Sequence, residues 1–336
     1  MGNPSRTGPL FWILASVIFM LAASILVELY SLAFYDAGIS SKVSLLSIGM
    51  ASVALFYVVF SGILSGRNSE KGTTSRLIRT VMISLGFAIF FFLIILPLTS
   101  IFKFAAEDGW SGFWSAVTSE EALNAFCNSL LIAVLCTLIN LVSGTLIAYI
   151  LTKYRFPGRT ILRGLIDLPI AIPTAVVGLS LMMLYGPMGL LGPFLQERGI
   201  QVVLDMPGVV LAHVFVTFPF MVRSTMVVME KLDPNLVDSS RILGAGGLRT
   251  FFSVILPSIR SGMIAGGALT FTRSLGEFGA TLFVAGGVLS TGPLYIAVLN
   301  EDIKFQEACS ISIVLMVFPF LVLIALNYLV DRMEGR

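Results

Sequence analysis

Polar residues are sparse along this chain, and they fall at intervals that leave long apolar runs between them. Eight runs stand out, at roughly 10–35, 43–65, 80–101, 122–151, 164–186, 207–229, 262–286 and 307–330. Each is long enough to cross the hydrocarbon layer as a helix, which takes about 20 residues. The pattern predicts an all-α polytopic membrane protein with about eight transmembrane helices. The runs at 10–35 and 122–151 are over-long and predict tilt or extension into the interface. The first run has no small-residue cleavage site and reads as a retained span, not a removed signal peptide.

Composition agrees with the pattern. The 336 residues are 57% hydrophobic and 12% charged, against about 45–50% and roughly 25% in soluble domains. A water-soluble enzyme and a disordered chain are both excluded. The single His and three Cys argue against a multi-ligand metal site. Cys127, Cys136 and Cys309 lie in apolar stretches, where a thiol acts as a small hydrophobe, so no disulfide framework is expected.

Charge placement sets the orientation. With a cytoplasmic N-terminus, the inner loops and tails hold fifteen of the 21 Lys and Arg, clustered at 67–79, 153–163, 231–260 and 332–336. The outer loops keep Lys42, Lys103, Arg198 and Lys304, and carry the acids Glu107, Asp108, Glu120, Glu121, Glu301 and Asp302. This asymmetry follows the positive-inside rule and places both termini in the cytoplasm. The outer loops are short, so a dilute solute would have to be captured by another protein. A polar, basic linker at 66–79 divides the chain into a two-helix segment, 1–75, and a core, 76–336.

The cytoplasmic stretch 230–261 is the most informative. Asp233-Pro234 reads as an N-cap followed by proline at the first helical position. A short helix over Asn235–Leu243 then meets Gly244, Gly246 and Gly247. A second helix carries Leu248, Phe251, Phe252 and Ile255 as one apolar stripe and ends at Pro257. Two short helices at an angle suit a docking knob; an ordinary amphipathic interfacial loop is the plainer alternative.

The spacing resembles the "EAA" loop of ABC importer permeases: an acid and two small residues, three residues, Gly, nine residues, then I-x-L-P. Asp238, Ser239 and Ser240 stand at E-A-A, Gly244 follows at the right interval, and Val254 to Leu256 and Pro257 close the pattern. The resemblance implies that this loop docks on an ATPase subunit. The chain itself has no G-x-x-x-x-G-K-[ST] phosphate loop and no Gly-Lys dipeptide. ATP and Mg are therefore expected on a separate partner chain, with no cofactor in this one.

Inside the seventh run, Arg273 and Glu277 stand four residues apart, a spacing that shares a helix face. A lone charge at mid-bilayer costs roughly 2.5–3.5 kcal/mol on insertion scales, so the two are expected to pair or to face water. A structural ion pair, a border of the translocation path and a proton relay through Glu277 are the three readings. FTRSLGEFGAT is similar to the F-x-R-x-L-G-E-F-G-A-T string of molybdate, tungstate and sulfate permeases, as are YRFPGR at 154–159, DLPIAIPTAVVGLSL at 167–181 and LAHVFVTFPFMVRS at 211–224. By this likeness Arg273, Gly276, Glu277, Gly279 and Thr281 belong to the translocation path or its gate.

Three further readings complete the inventory. His213 is expected to be a hydrogen-bonded packing residue, and Arg223 to snorkel toward phosphate headgroups. Pro169 and Pro173 predict either a kink or a broken helix lining the path. Gly-rich runs at 262–267 and 276–279 predict close helix packing.

The resemblance implies a transport subunit without enzymatic chemistry, in a prokaryotic cell membrane. It implies a six-helix core, a second permease copy, an ATPase at 230–261, an extracytoplasmic binding protein and the lipid bilayer as partners, with no nucleic acid. The first two runs fall outside that core. Molybdate or tungstate is the leading substrate, sulfate or thiosulfate next; ferric-iron and thiamine permeases are the outer alternative. An ion-coupled secondary transporter would need an internal repeat and midplane carboxylates for a coupling ion, and an ion channel a filter or charge rings. Neither signature is found.

Overall fold

The computed structural model describes residues 83–84, 86–87, 96–287 and 289–333. The chain divides into residues 1–103 and a larger unit, Phe104–Arg336. The first two predicted spans, most of the third and the 75/76 boundary lie outside the described residues.

No strand occurs among the described residues, and thirteen helices are described from Leu96 to Met333. After α1 (Leu96–Ala105) and α2 (Gly109–Val117) comes α3 (Glu120–Lys153). At about 1.5 Å per residue α3 is near 50 Å long, so it overruns the bilayer as its apolar run predicts. Ser119 caps it by accepting from the Ala122 N–H, Glu120 and Glu121 sit at its positive end, and Lys153 at its negative end. The run at 164–186 forms two helices, α4 (Arg159–Ala171) and α5 (Thr174–Tyr185), bent by 107° at Ile172-Pro173. Pro173 supplies the break; Pro169 stays within α4. A short α6 (Gly192–Gln196) leads to α7 (Met206–Met229).

The cytoplasmic stretch folds as α8 (Pro234–Ile242) and α9 (Gly247–Ser258). A 67° bend then opens α10 (Arg260–Leu275). After α11 (Gly279–Val284) and α12 (Gly292–Glu301), α13 (Phe305–Met333) closes the chain. Among the described residues three single helices meet the length and hydropathy of a span, and up to five spans if each bent pair is one; the remaining predicted runs fall mostly outside those residues.

The centre of the larger unit is where α3, α7 and α10 meet, and one side chain shows why they can approach. Met221 is fully buried on α7. A Cβ at Gly144 on α3 would stand 2.8 Å from its Cγ, and one at Gly266 on α10 would stand 2.8 Å from its Sδ. Two glycines on flanking helices thus make the socket for one long thioether. On the other side of α7, the second apolar cluster joins α3, α5, α7 and α11 through Ile132, Val177, Val209, Val216, Ala280 and Val284.

Candidate functional site

Two regions carry the candidate residues. The first is the cytoplasmic knob. Asp233 caps α8 by accepting from the Asn235 N–H at 3.0 Å, as its Asp-Pro start predicts. Inside the knob, Ser240 donates to the Val237 carbonyl at 2.8 Å and lies 3.0 Å from the Thr250 hydroxyl, tying α8 to α9. Val237, Ile255, Ile259 and Met229 form its apolar floor, with Tyr149 edge-on to Phe251 at 5.0 Å. Asp238 and Ser239 point outward, and Asp238 makes a 3.8 Å ion pair with Arg241.

Gly244 closes α8 with φ +80°, the left-handed conformation that a glycine adopts without strain. No atom lies within 4 Å of a Cβ placed there, so the requirement is one of backbone conformation and not of internal crowding. Beyond it, Ile242 is 85% exposed, Leu243 87% and Leu248 78%. Three large aliphatic side chains thus stand open on one tip. The predicted stripe does not hold as one face. A π-helical turn over Phe251–Ile255 shifts the register, so Ile255 is buried and Phe251 half-buried while Leu248 and Phe252 remain outside. Pro257 does not end the helix either, which runs to Ser258 and bends at Ile259, with Leu256 half-buried.

The second region is a break in the seventh run. The helix α10 stops at Leu275, Gly276 caps it, and α11 starts only at Gly279. Arg273 and Glu277 therefore do not share one helix face. They meet nonetheless, with Arg273 Nη1 2.6 Å from Glu277 Oε2, across the non-helical stretch at Gly276–Phe278. The Glu277 side chain is 1% exposed and that of Arg273 36%. Its other oxygen, Oε1, accepts from the Ala280 N–H at 3.0 Å, satisfying a donor that the break sets free inside the membrane.

Two glycines let the helices beyond the breaks approach closely. A Cβ at Gly279 would collide with Thr174, and one at Gly178 would sit 2.5 Å from the Ala280 carbonyl oxygen. The start of α5, just beyond Pro173, thus packs against the start of α11, just beyond the break. His213, fully buried on α7, reaches both arms: Nδ1 lies 2.7 Å from Ser274 Oγ and Nε2 2.8 Å from Thr281 Oγ1. Thr281 in turn donates to the Glu277 carbonyl at 3.2 Å. A second polar set adjoins this one, in which Asn140 donates to Thr217 Oγ1 and Thr217 to the His213 carbonyl.

Residues 141–335, more than half of the chain, match the family described as "Binding-protein-dependent transport system inner membrane component". The chain belongs to that family. This permease is 37% identical over 269 residues to the sulfate transport system permease protein CysT of Salmonella typhimurium, which covers 79% of this chain and 97% of that protein. It is 36% identical over 269 residues to CysT of Escherichia coli, with the same coverage. Its fold is shared with a chain of a bacterial alginate ABC transporter in complex with an alginate pentasaccharide-bound periplasmic protein. There the TM-score is 0.67 at 16% identity, covering 77% of this chain and 96% of that one.

The match takes in both regions of the permease. Asp238, Ser239, Ser240, Gly244, Leu256 and Pro257 come together in the knob; Arg273, Gly276, Glu277, Gly279 and Thr281 come together at the break. Arg223 departs from expectation: its Nε donates to Asp167 on α4 at 2.6 Å instead of serving only a headgroup. His213 is hydrogen-bonded as expected, but its two partners flank the break, which no local pattern predicts. The signal available was the hydroxyls Ser274 and Thr281 seven apart around Leu-Gly-Glu-Phe-Gly.

Proposed function

We propose that this chain is the membrane-spanning permease of an ABC importer for a tetrahedral oxyanion, sulfate first. The observation that carries sulfate ahead of molybdate and tungstate is the 37% identity to a sulfate permease across nearly all of that relative's length. In this reading the permease forms no covalent intermediate. A second copy completes the pore, an extracytoplasmic binding protein delivers the anion, and ATP and Mg act on a separate ATPase. The membrane is the inner or plasma membrane, with both termini cytoplasmic by the charge asymmetry.

The geometry suits such a transmission. An ATPase groove would take up the exposed Ile242, Leu243 and Leu248. Movement of the knob would pass through Ile255, Ile259 and Met229 to α7 and through the bend to α10, whose other end carries the break. Arg273 and Glu277 would border the path as a neutral pair, gating and positioning rather than holding a dianion tightly. The stretch before about residue 73 would add stability without being needed for the cycle.

The test is uptake. Cells lacking their own sulfate permease, supplied with this chain and its cognate ATPase and binding protein, should accumulate radiolabelled sulfate, and excess molybdate should compete weakly. Molybdate uptake in preference to sulfate would overturn the substrate assignment, and uptake independent of the ATPase would overturn the class.

A further inference from the structure

We propose that His213 is a positioning residue that locks the two arms of the broken span, α10 and α11, into one body around the Arg273–Glu277 pair. The inference rests on the reading that this break borders the path, and it names what holds the break in shape.

The chain of hydrogen bonds has a direction. The Glu277 carbonyl can only accept, so the Thr281 hydroxyl spends its one proton there. Thr281 Oγ1 must then accept from His213, which puts the imidazole proton on Nε2. Nδ1 is left as an acceptor, and Ser274 supplies the proton it takes. The relay runs from Ser274 in the last turn of α10, through the ring on α7, to Thr281 on α11, and returns to the Glu277 backbone between them. Every side chain in the relay is buried: Ser274, His213 and Thr281 are each 2% exposed or less.

The ring supplies what the break itself lacks. Across Gly276–Phe278 no continuous helix fixes the angle between the arms; among the described residues, besides the Glu277 contacts, only the His213 ring hydrogen-bonds a side chain on each arm. His213 is held in turn by its backbone, whose carbonyl accepts from Thr217, itself bonded by Asn140 of α3. The angle at the break is thereby referred to the α3–α7 pair. With the arms locked, a push arriving along α10 reaches Glu277 and α11 together, instead of being lost as bending at Gly276.

The experiment uses the complete transporter in lipid nanodiscs, with its ATPase and binding protein. Spin labels go at Leu269→Cys on α10 and Leu282→Cys on α11, both exposed, with Cys127 and Cys309 changed to Ser. The expected result is one narrow label-to-label distance, the same without nucleotide and with trapped nucleotide. Asparagine at His213 can reach only toward Ser274, and glutamine only toward Thr281, so H213N and H213Q should each broaden the distribution. S274A and T281V cut the same two links without touching the ring. Adding S274A to H213Q should broaden it no further, since that link is already gone.

Binding-protein-stimulated ATP hydrolysis should fall about tenfold in H213N and H213Q with basal hydrolysis retained, the loss expected for a buried partner left unpaired. A distribution as narrow in S274A and T281V as in the parent would overturn the proposal, as would one that already shifts with nucleotide in the parent. The distance needs no anion, so a transporter that fails to move sulfate would sink the functional assignment while leaving the lock measurable.

Discussion

The knob and the break are built from opposite materials. The knob has an apolar floor and one buried hydroxyl pair, and turns its Ile242, Leu243 and Leu248 outward. The break buries a carboxylate, an imidazole and hydroxyls in the middle of an apolar bundle. In water, exposed aliphatic groups are the costly ones and call for a partner; in a membrane, it is polar groups that must find partners inside the chain. The knob leaves aliphatic side chains open, as a proposed seat for a second protein would, whereas the buried polar groups of the break find partners within this chain.

That contrast predicts where substitutions act on stability and where on coupling. The largest stability effect belongs at the break. Arg273→Gln would strand Glu277 at 1% exposure and cost about 3 kcal/mol or more. Glu277→Gln leaves a half-open arginine and should cost less. The double substitution should be milder than Arg273→Gln alone, and thermal unfolding in lipid checks all three. Additive effects would show that the pair does not act as a unit.

At the knob the effects should be smaller in stability and larger in coupling. Gly244→Ala forces a Cβ into φ +80°, worth about 1–2 kcal/mol locally. Gly244→Asn, which tolerates that conformation, should keep more of both. Gly244→Trp adds bulk at the tip and should abolish uptake while the chain still folds, since the space around Gly244 is open within this chain. The ratio of anion transported to ATP hydrolysed measures it; normal uptake by Gly244→Trp would exclude a tight contact there.

The smallest effect is expected inside the knob. Ser240→Ala and Thr250→Val each remove one end of the hydroxyl pair and should cost about 1 kcal/mol. Together they should cost little more than one alone, as a double-mutant cycle would read.

The knob was the more legible region because its signals are local. An Asp-Pro start, a glycine stop and a fixed interval to Leu256-Pro257 are read within thirty residues, and the structure places them as spaced. The register of the second helix was not legible, because a π turn costs little and leaves no mark in an apolar pattern. At the break, Arg273 and Glu277 were found for a reason that proved only half right. Their spacing of four suggested one helix face, but they meet across a turn. Hydropathy could not see it, since Gly276 and Gly279 interrupt the helix without interrupting the apolar run. The role of His213 was out of reach because its partners stand 61 and 68 residues away.

The tip of the knob is proposed as the seat of the ATPase. A photo-crosslinking residue at Leu243 tests it directly, with Leu130, on the exposed face of α3, as the control. In the assembled transporter in membranes, Leu243 should capture the ATPase chain in high yield and Leu130 only lipid. Capture of lipid alone from Leu243, in a complex that still holds its ATPase, would make the knob a membrane-surface element and contradict the account.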